Sequence, residues 1–161
     1  INKKLKLNNS YFNSVISSSN ERKKWVWDKF KLIKNHLKKK MNITILGLAY
    51  KENTNSIKNS PAVELIKKLK NKNKYSINVY DPKVEFDNKQ KNLKIFKSIS
   101  GALKNTDILF VLTPWREFKK IDNIFLKKNF KGQAIIDPFK STNYNIVKKN
   151  NIKYFSLGGN S

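Results

Sequence analysis

Lys51 stands just past a strand-like run, Asn42-Ile43-Thr44-Ile45-Leu46, and the short exit Gly47-Leu48-Ala49-Tyr50. Three further apolar runs end in residues of chemical interest. Tyr75–Tyr80 leads into Asp81, Asp107–Leu112 leads into Thr113 and Trp115, and Gln133–Ile136 leads into Asp137 to Lys140. The set pairs two cations, Lys51 and Lys140, with two flat aromatics, Tyr50 and Trp115, and with hydroxyl and carboxylate groups. Cations suit a pyrophosphate or a sugar, a ring suits the face of a base, and a carboxylate suits ribose hydroxyls. Together these residues suit a nucleotide.

Each has a plainer reading. Lys51 competes with a solvated loop lysine, and Trp115 with core or rim packing. Asp137 competes with a cap on the turn before Pro138, and Asp81-Pro82 reads better as a structural turn. His36, a lone histidine near a helix end, is given no role.

The elements that must hold this set follow from local chemistry. The β-branched run at 42–46 favours a strand, and Gly47 tolerates a sharp exit from it. Ser60 is a good N-cap and Pro61 fits the first helical position, which opens a helix over about 61–72. Strands are predicted at 75–80, 107–112, 133–137 and 152–155, and short helices at 98–104 and 141–149. The run at 107–112 is apolar throughout, as a strand buried on both faces would be. Strands alternating with helices at this spacing imply crossovers and a parallel sheet. In such a sheet ligands bind outside the carboxyl ends of the strands, where the candidate residues stand. Residues 1–40 read as lysine-rich helix, with Phe12, Val15 and Ile16 on one face and Val26, Phe30, Ile33 and Leu37 at helical spacing. Ser17 to Glu21 is expected to interrupt it, since Ser18 and Glu21 have capping-box spacing. Trp25 and Trp27 flank that stripe and need cover. The face suits either its own domain or, as favoured here, a missing domain or second subunit.

Composition sets bounds. The chain has 161 residues, a formal charge of +24 and no cysteine. That length allows one full core plus an appendage. Without cysteine there is no disulfide and no thiol nucleophile. No apolar run is long enough to span a membrane and no signal-peptide pattern is present, so a cytoplasmic location is expected. The chain begins Ile1-Asn2-Lys3-Lys4, which suggests a piece of a longer protein. The charge invites a nucleic-acid reading. However, all 35 basic residues except Arg22 and Arg116 are lysines spread along the chain, whereas bidentate base and phosphate recognition favours arginine. No nucleic-acid partner is expected, and the lysine excess is read as surface composition. Two motifs are missing. Ala49 stands where a G-x-G-x-x-G fingerprint needs its second glycine, and there is no P-loop. No metal-ligand cluster is expected.

Gly47-Leu48-Ala49-Tyr50-Lys51, followed by Thr54, Lys58 and Ser60-Pro61, resembles the opening of the C-terminal domain of the UDP-glucose/GDP-mannose dehydrogenase family. That family runs G-L-A-F-K, a short spacer, T-D-D and R-x-S-P. Here Tyr50 replaces the Phe, Asn55-Ser56 the paired acids, and Lys58 the Arg. The resemblance continues through Tyr80-Asp81-Pro82, Thr113 to Phe118 and Ile135-Ile136-Asp137, over roughly residues 20 to 158. Asn20-Glu21-Arg22-Lys23 resembles the stretch where a helix joins the central dimerisation region. The resemblance implies a Rossmann-like three-layer α/β domain with a mostly parallel sheet, preceded by a helical linker. Residues 1–40 would be the linker and 41–161 the nucleotide-sugar (UDP)-binding domain. It further implies that Lys51 contacts substrate, that Lys140 grips the sugar nucleotide and that Lys58 lies near the cofactor pyrophosphate; Tyr50 and Trp115, chosen for their places past the strand ends, complete the substrate-contact candidates. No catalytic residue is expected in this chain. NAD would be bound mainly by a missing N-terminal domain of the full enzyme, which would also supply the catalytic cysteine, and this chain alone is expected to hold no cofactor. The full enzyme would oxidise a sugar C6 alcohol, with UDP-glucose as default substrate, and would form a homodimer through its central helix. The alternatives are a stand-alone nucleotide-binding module without catalysis and, ranked below it, a basic nucleic-acid-binding protein.

Overall fold

Met41–Leu46 forms the first strand, β1, and every side chain on it except Asn42 is buried. The protein is described by a computed structural model over residues 9–34, 40–69, 74–87, 91–143 and 152–158. β1 sits inside a sheet whose other strands are β2 (Tyr75–Tyr80), β3 (Leu93–Ile95), β4 (Ile108–Val111), β5 (Ala134–Ile136) and β6 (Lys153–Phe155). The order is β3-β2-β1-β4-β5-β6. All five pairings are parallel, with Ile43 opposite Ile77 on one side of β1 and Ile45 opposite Phe110 on the other. The chain thus builds outward from β1 to one edge, returns to its other side and builds to the second edge. The reversal lies between β1 and β4, and a crevice forms at such a point, outside the carboxyl ends of the strands.

Helices α1 (Asn9–Lys34), α2 (Pro61–Leu69), α3 (Ile99–Leu103) and α4 (Asn123–Asn129) and a 3-10 turn at Arg116–Lys120 complete the described elements. α2 buries Ala62, Leu65, Ile66 and Leu69, a three-and-four spacing that faces the sheet. α3 is docked through polar groups. Its Ala102 carbonyl accepts from the Thr44 hydroxyl at 2.8 Å and from the Asn78 amide at 2.9 Å, so three buried polar groups satisfy one another.

Three expectations need adjustment. α1 runs unbroken through Ser17–Glu21, and no new helix begins at Ser18. A serine inside a helix costs only about 0.5 kcal/mol relative to alanine, and no glycine or proline interrupts the run. From Arg22 onward α1 packs on this domain itself. Val26, Phe30 and Ile33 are buried, and the Phe30 ring lies 5.6 Å from Tyr75 and 5.8 Å from Phe110. Finally, β3 is a strand that the sequence reading omits. It is a three-residue edge in which only Leu93 is buried, too short to show an alternating period. The helix expected at 141–149 and His36 fall on residues that lie largely or wholly outside the described ones.

Candidate functional site

The rim above β1 and β4 is built around a close approach. Gly47 leaves β1 with φ 87°, and a Cβ there would lie 2.6 Å from Cβ of Thr113 at the exit of β4. Only glycine combines that dihedral with that contact. Thr113 is buried, and its hydroxyl donates to the Ala49 carbonyl at 2.6 Å, which ties the two exits together.

Asp81 completes this knot. Oδ2 accepts from the N–H of Leu48 at 2.7 Å, the N–H of Ala49 at 3.0 Å and the indole N–H of Trp115 at 3.0 Å. Oδ1 accepts from the N–H groups of Lys83 and Val84, each at 2.9 Å. One carboxylate therefore joins the exits of β1, β2 and β4, and it has no capacity left for a ribose. This is the structural-turn reading of Asp81-Pro82. Trp115 belongs to the same knot, because it is only 6% exposed and its N–H is spent.

A pyrophosphate cradle needs free backbone N–H groups just past β1. Here Leu48 and Ala49 give theirs to Asp81, and the space beside Gly47 is filled by Thr113. These residues do not fit the pyrophosphate of NAD.

The cations stand outside the knot. Tyr50, Lys51 and Lys58 lie on one loop between β1 and α2, all exposed, with Tyr50 at 46%. The loop is braced within itself, as the Tyr50 N–H donates to the Ser56 carbonyl at 2.8 Å and the Ser56 N–H to the Thr54 hydroxyl at 3.1 Å. Asn53 and Asn59 take left-handed turns, with φ 61° and 60°, a conformation asparagine tolerates. Ser60 caps α2 from a buried position, its Oγ accepting from the Val63 N–H at 3.4 Å.

Lys140 is separate from this loop, on the far side of β4 after β5. It is exposed, has φ 54°, and its ammonium reaches the Gly158 carbonyl at 3.5 Å. The neighbouring Asp137 is fully buried. Its Oδ2 accepts from the Thr142 N–H at 2.8 Å, the Thr142 hydroxyl at 3.0 Å and the Tyr154 hydroxyl at 2.8 Å, and its Oδ1 accepts from the Phe139 N–H at 3.2 Å. Asp137 is a structural hub, as the turn-capping reading has it.

Sequence reasoning missed the pair Tyr80 and Glu117. Burial, and then the nearby Glu117 carboxylate, push the Tyr80 phenol up to about 12. The two residues lie far apart in sequence, and only the parallel pairing of β2 beside β1 and β4 brings them together. Among the described residues, no three His, Cys, Asp or Glu side chains converge on a metal position, and no helix is long and apolar enough to cross a membrane.

Comparison with known proteins places this geometry. Residues 44–144 match the UDP-glucose/GDP-mannose dehydrogenase family, UDP binding domain. A UDP-glucose 6-dehydrogenase of Rickettsia felis is 31% identical over 150 residues, covering 90% of this chain and 33% of that protein. The UDP-glucose 6-dehydrogenase TuaD of Bacillus subtilis is 27% identical over 127 residues, covering 77% of this chain and 27% of that protein. A solved UDP-D-ManNAc dehydrogenase from Pyrococcus horikoshii superposes with a TM-score of 0.67 at 26% identity, over 86% of this chain and 31% of that one. The chain spans about a third of the length of the curated relatives it matches.

Proposed function

The chain belongs to the UDP-glucose/GDP-mannose dehydrogenase family, and from that premise we propose that it is the nucleotide-sugar-binding part of a dehydrogenase that oxidises the C6 alcohol of a UDP-linked sugar to a carboxylate. The observation that carries this reading is the position of the Tyr50–Lys58 loop. It displays an exposed ring and two ammonium groups, neither ion-paired among the described residues, at the crevice where the strand order reverses. The nearby carboxylate of Asp81 is consumed by the fold. On this loop the two ammonium groups outnumber the single exposed acid, Glu52.

In this reading Lys51 and Tyr50 touch the nucleotide sugar directly, and Lys140 approaches it from the β5 exit. Lys58 faces the cofactor side. Trp115 acts as a positioning residue, since its indole helps Asp81 hold the base of the loop. Lys in place of Arg at 58 and 140 keeps the charge but gives up the planar fork, which weakens bidentate grip on a phosphate. NAD and the thiol chemistry belong to a domain outside these 161 residues, because covalent aldehyde oxidation through a thiohemiacetal needs a cysteine and this sequence contains none. Residues 1–40 are the end of a central helical region through which the complete protein pairs with a second copy, in the cytoplasm.

Calorimetric titration of the chain with UDP and UDP-glucose tests the reading. Saturable binding is expected, weakened about tenfold by Lys51→Ala, the scale of one lost charge-assisted contact. Absence of binding by the folded chain would overturn it. A second expectation is that the 161 residues alone form no NADH from NAD and UDP-glucose; accumulation of NADH would refute the division of labour.

A further inference from the structure

Arg22 is one of only two arginines in the chain, and it lies on α1 rather than on a loop of the sheet. Its guanidinium carbon sits 5.1 Å from the centroid of the Phe139 ring. Phe139 lies in the loop that leaves the carboxyl end of β5, between Asp137 and Lys140. Packing fixes the helix just past this contact. Lys23 pairs with Glu64 in the first turn of α2 at 2.6 Å, and Val26 is buried one turn along. Arg22 therefore reaches the rim of the sheet on which ligands of open parallel sheets bind.

The guanidinium is held but not paired. Among the described residues the ion pairs are Lys23–Glu64 and Lys31–Asp28, and neither involves Arg22. A cation–π contact holds the guanidinium over the ring while consuming none of its N–H donors, which stay open to an acceptor. Two more groups on the same loop lack acceptors of comparable strength. The Lys140 ammonium has one long contact, to the Gly158 carbonyl. Ser141 is 5% exposed, yet its Oγ has no hydrogen-bond partner among the described residues. The one acid of the loop, Asp137, is buried and saturated, so it offers an incoming anion no open oxygen.

We infer that Arg22 is a phosphate-binding residue of the nucleotide-sugar site, which delivers from α1 a bidentate contact to the diphosphate, with Lys140 and Ser141 as neighbouring donors. The inference rests on the nucleotide-sugar reading above. It assigns the linking helix a direct part in recognition, and it gives the chain a planar fork although Lys stands at 58 and 140.

The test is calorimetric titration of the 161-residue chain with UDP and with UMP, on the parent, Arg22→Ala, Arg22→Lys and Lys51→Ala. Arg22→Ala is expected to weaken UDP about tenfold or more, the scale of a bidentate charge-assisted pair. UMP is expected to weaken less, so the preference for UDP over UMP shrinks. Arg22→Lys restores charge without the fork and should recover only part of the loss. A merely structural role would change both ligands equally and would overturn the inference. Parent-like UDP affinity in Arg22→Ala would also overturn it, while weakening by Lys51→Ala would leave the nucleotide-sugar reading standing. Binding of neither ligand by the parent would remove both. Should Arg22→Ala melt early, Phe139→Leu takes its place, because it removes the stacking ring and keeps the charge. Severalfold weaker UDP binding would then support the inference, and unchanged binding would overturn it.

Discussion

Strands β2 and β5 are each followed by Asp-Pro, and the two aspartates have opposite reach. Asp81 gathers N–H donors from the exits of three strands, β1, β2 and β4, on the crevice side of the sheet. Asp137 gathers donors from its own loop and from Tyr154 on the adjoining edge strand. Asp81 is partly exposed, while Asp137 is fully buried. The same dipeptide thus does two jobs. The first aspartate shapes the base of the loop that carries Lys51, and the second locks one edge of the sheet. In neither place is the carboxylate free for a ligand, and on the Tyr50–Lys58 loop the single acid, Glu52, stands exposed beside the lysines.

Truncating the buried hub should give the largest effect. Asp137→Ala leaves the Thr142 N–H and the Thr142 and Tyr154 hydroxyls without their acceptor, at an expected cost of about 3–4 kcal/mol. Urea denaturation checks this as a lowered midpoint with unchanged slope. A smaller cost is expected from Asp81→Asn, about 1–2 kcal/mol, because one oxygen remains and water can reach the displaced donors. Its larger consequence is on UDP affinity, which should fall as the exits of β1 and β4 loosen. If Asp81→Asn proved the more destabilising of the two, or left binding intact, the contrast between the hubs would be wrong.

The smallest effect sharpens the comparison spectroscopically. The Tyr80 phenol is held at about 12 by burial first, then by Glu117, with the charge of Asp81 adding to it. Because ionised Tyr80 is disfavoured in the fold, its share of stability is whole below the ordinary tyrosine value near 10 and is lost as pH rises through about 12. Asp81→Asn should lower the phenolate absorbance midpoint of Tyr80, and Asp137→Ala should leave it in place.

Much of this was legible in the sequence, for identifiable reasons. β1 and β4 announced themselves through unbroken β-branched and apolar runs, because strands buried on both faces need no alternation. Gly47 and Ser60-Pro61 marked turn and helix start through dihedral and hydrogen-bond chemistry that acts locally. β3 stayed hidden because its single buried residue, Leu93, carries no period. The serines at 17–19 misled because capping propensity is weak beside the continuity of a helix that packs further along. The long-range pairs around the candidate site, Asp81 with Trp115, Thr113 with Ala49 and Arg22 with Phe139, were illegible for a common reason. Each joins residues separated by a crossover or more, and only the strand order sets them side by side.

The unbroken course of α1 has a mechanical consequence. Twenty-six residues of continuous helix make a stiff shaft about 39 Å long. A break at Ser18 would have made the first half a tether, free to swivel without disturbing the second. A shaft instead passes torque along its length. Rotation of the amino-terminal half would turn Arg22 against Phe139 and strain Lys23 against Glu64, so a twist of the shaft would be felt at the rim of the sheet.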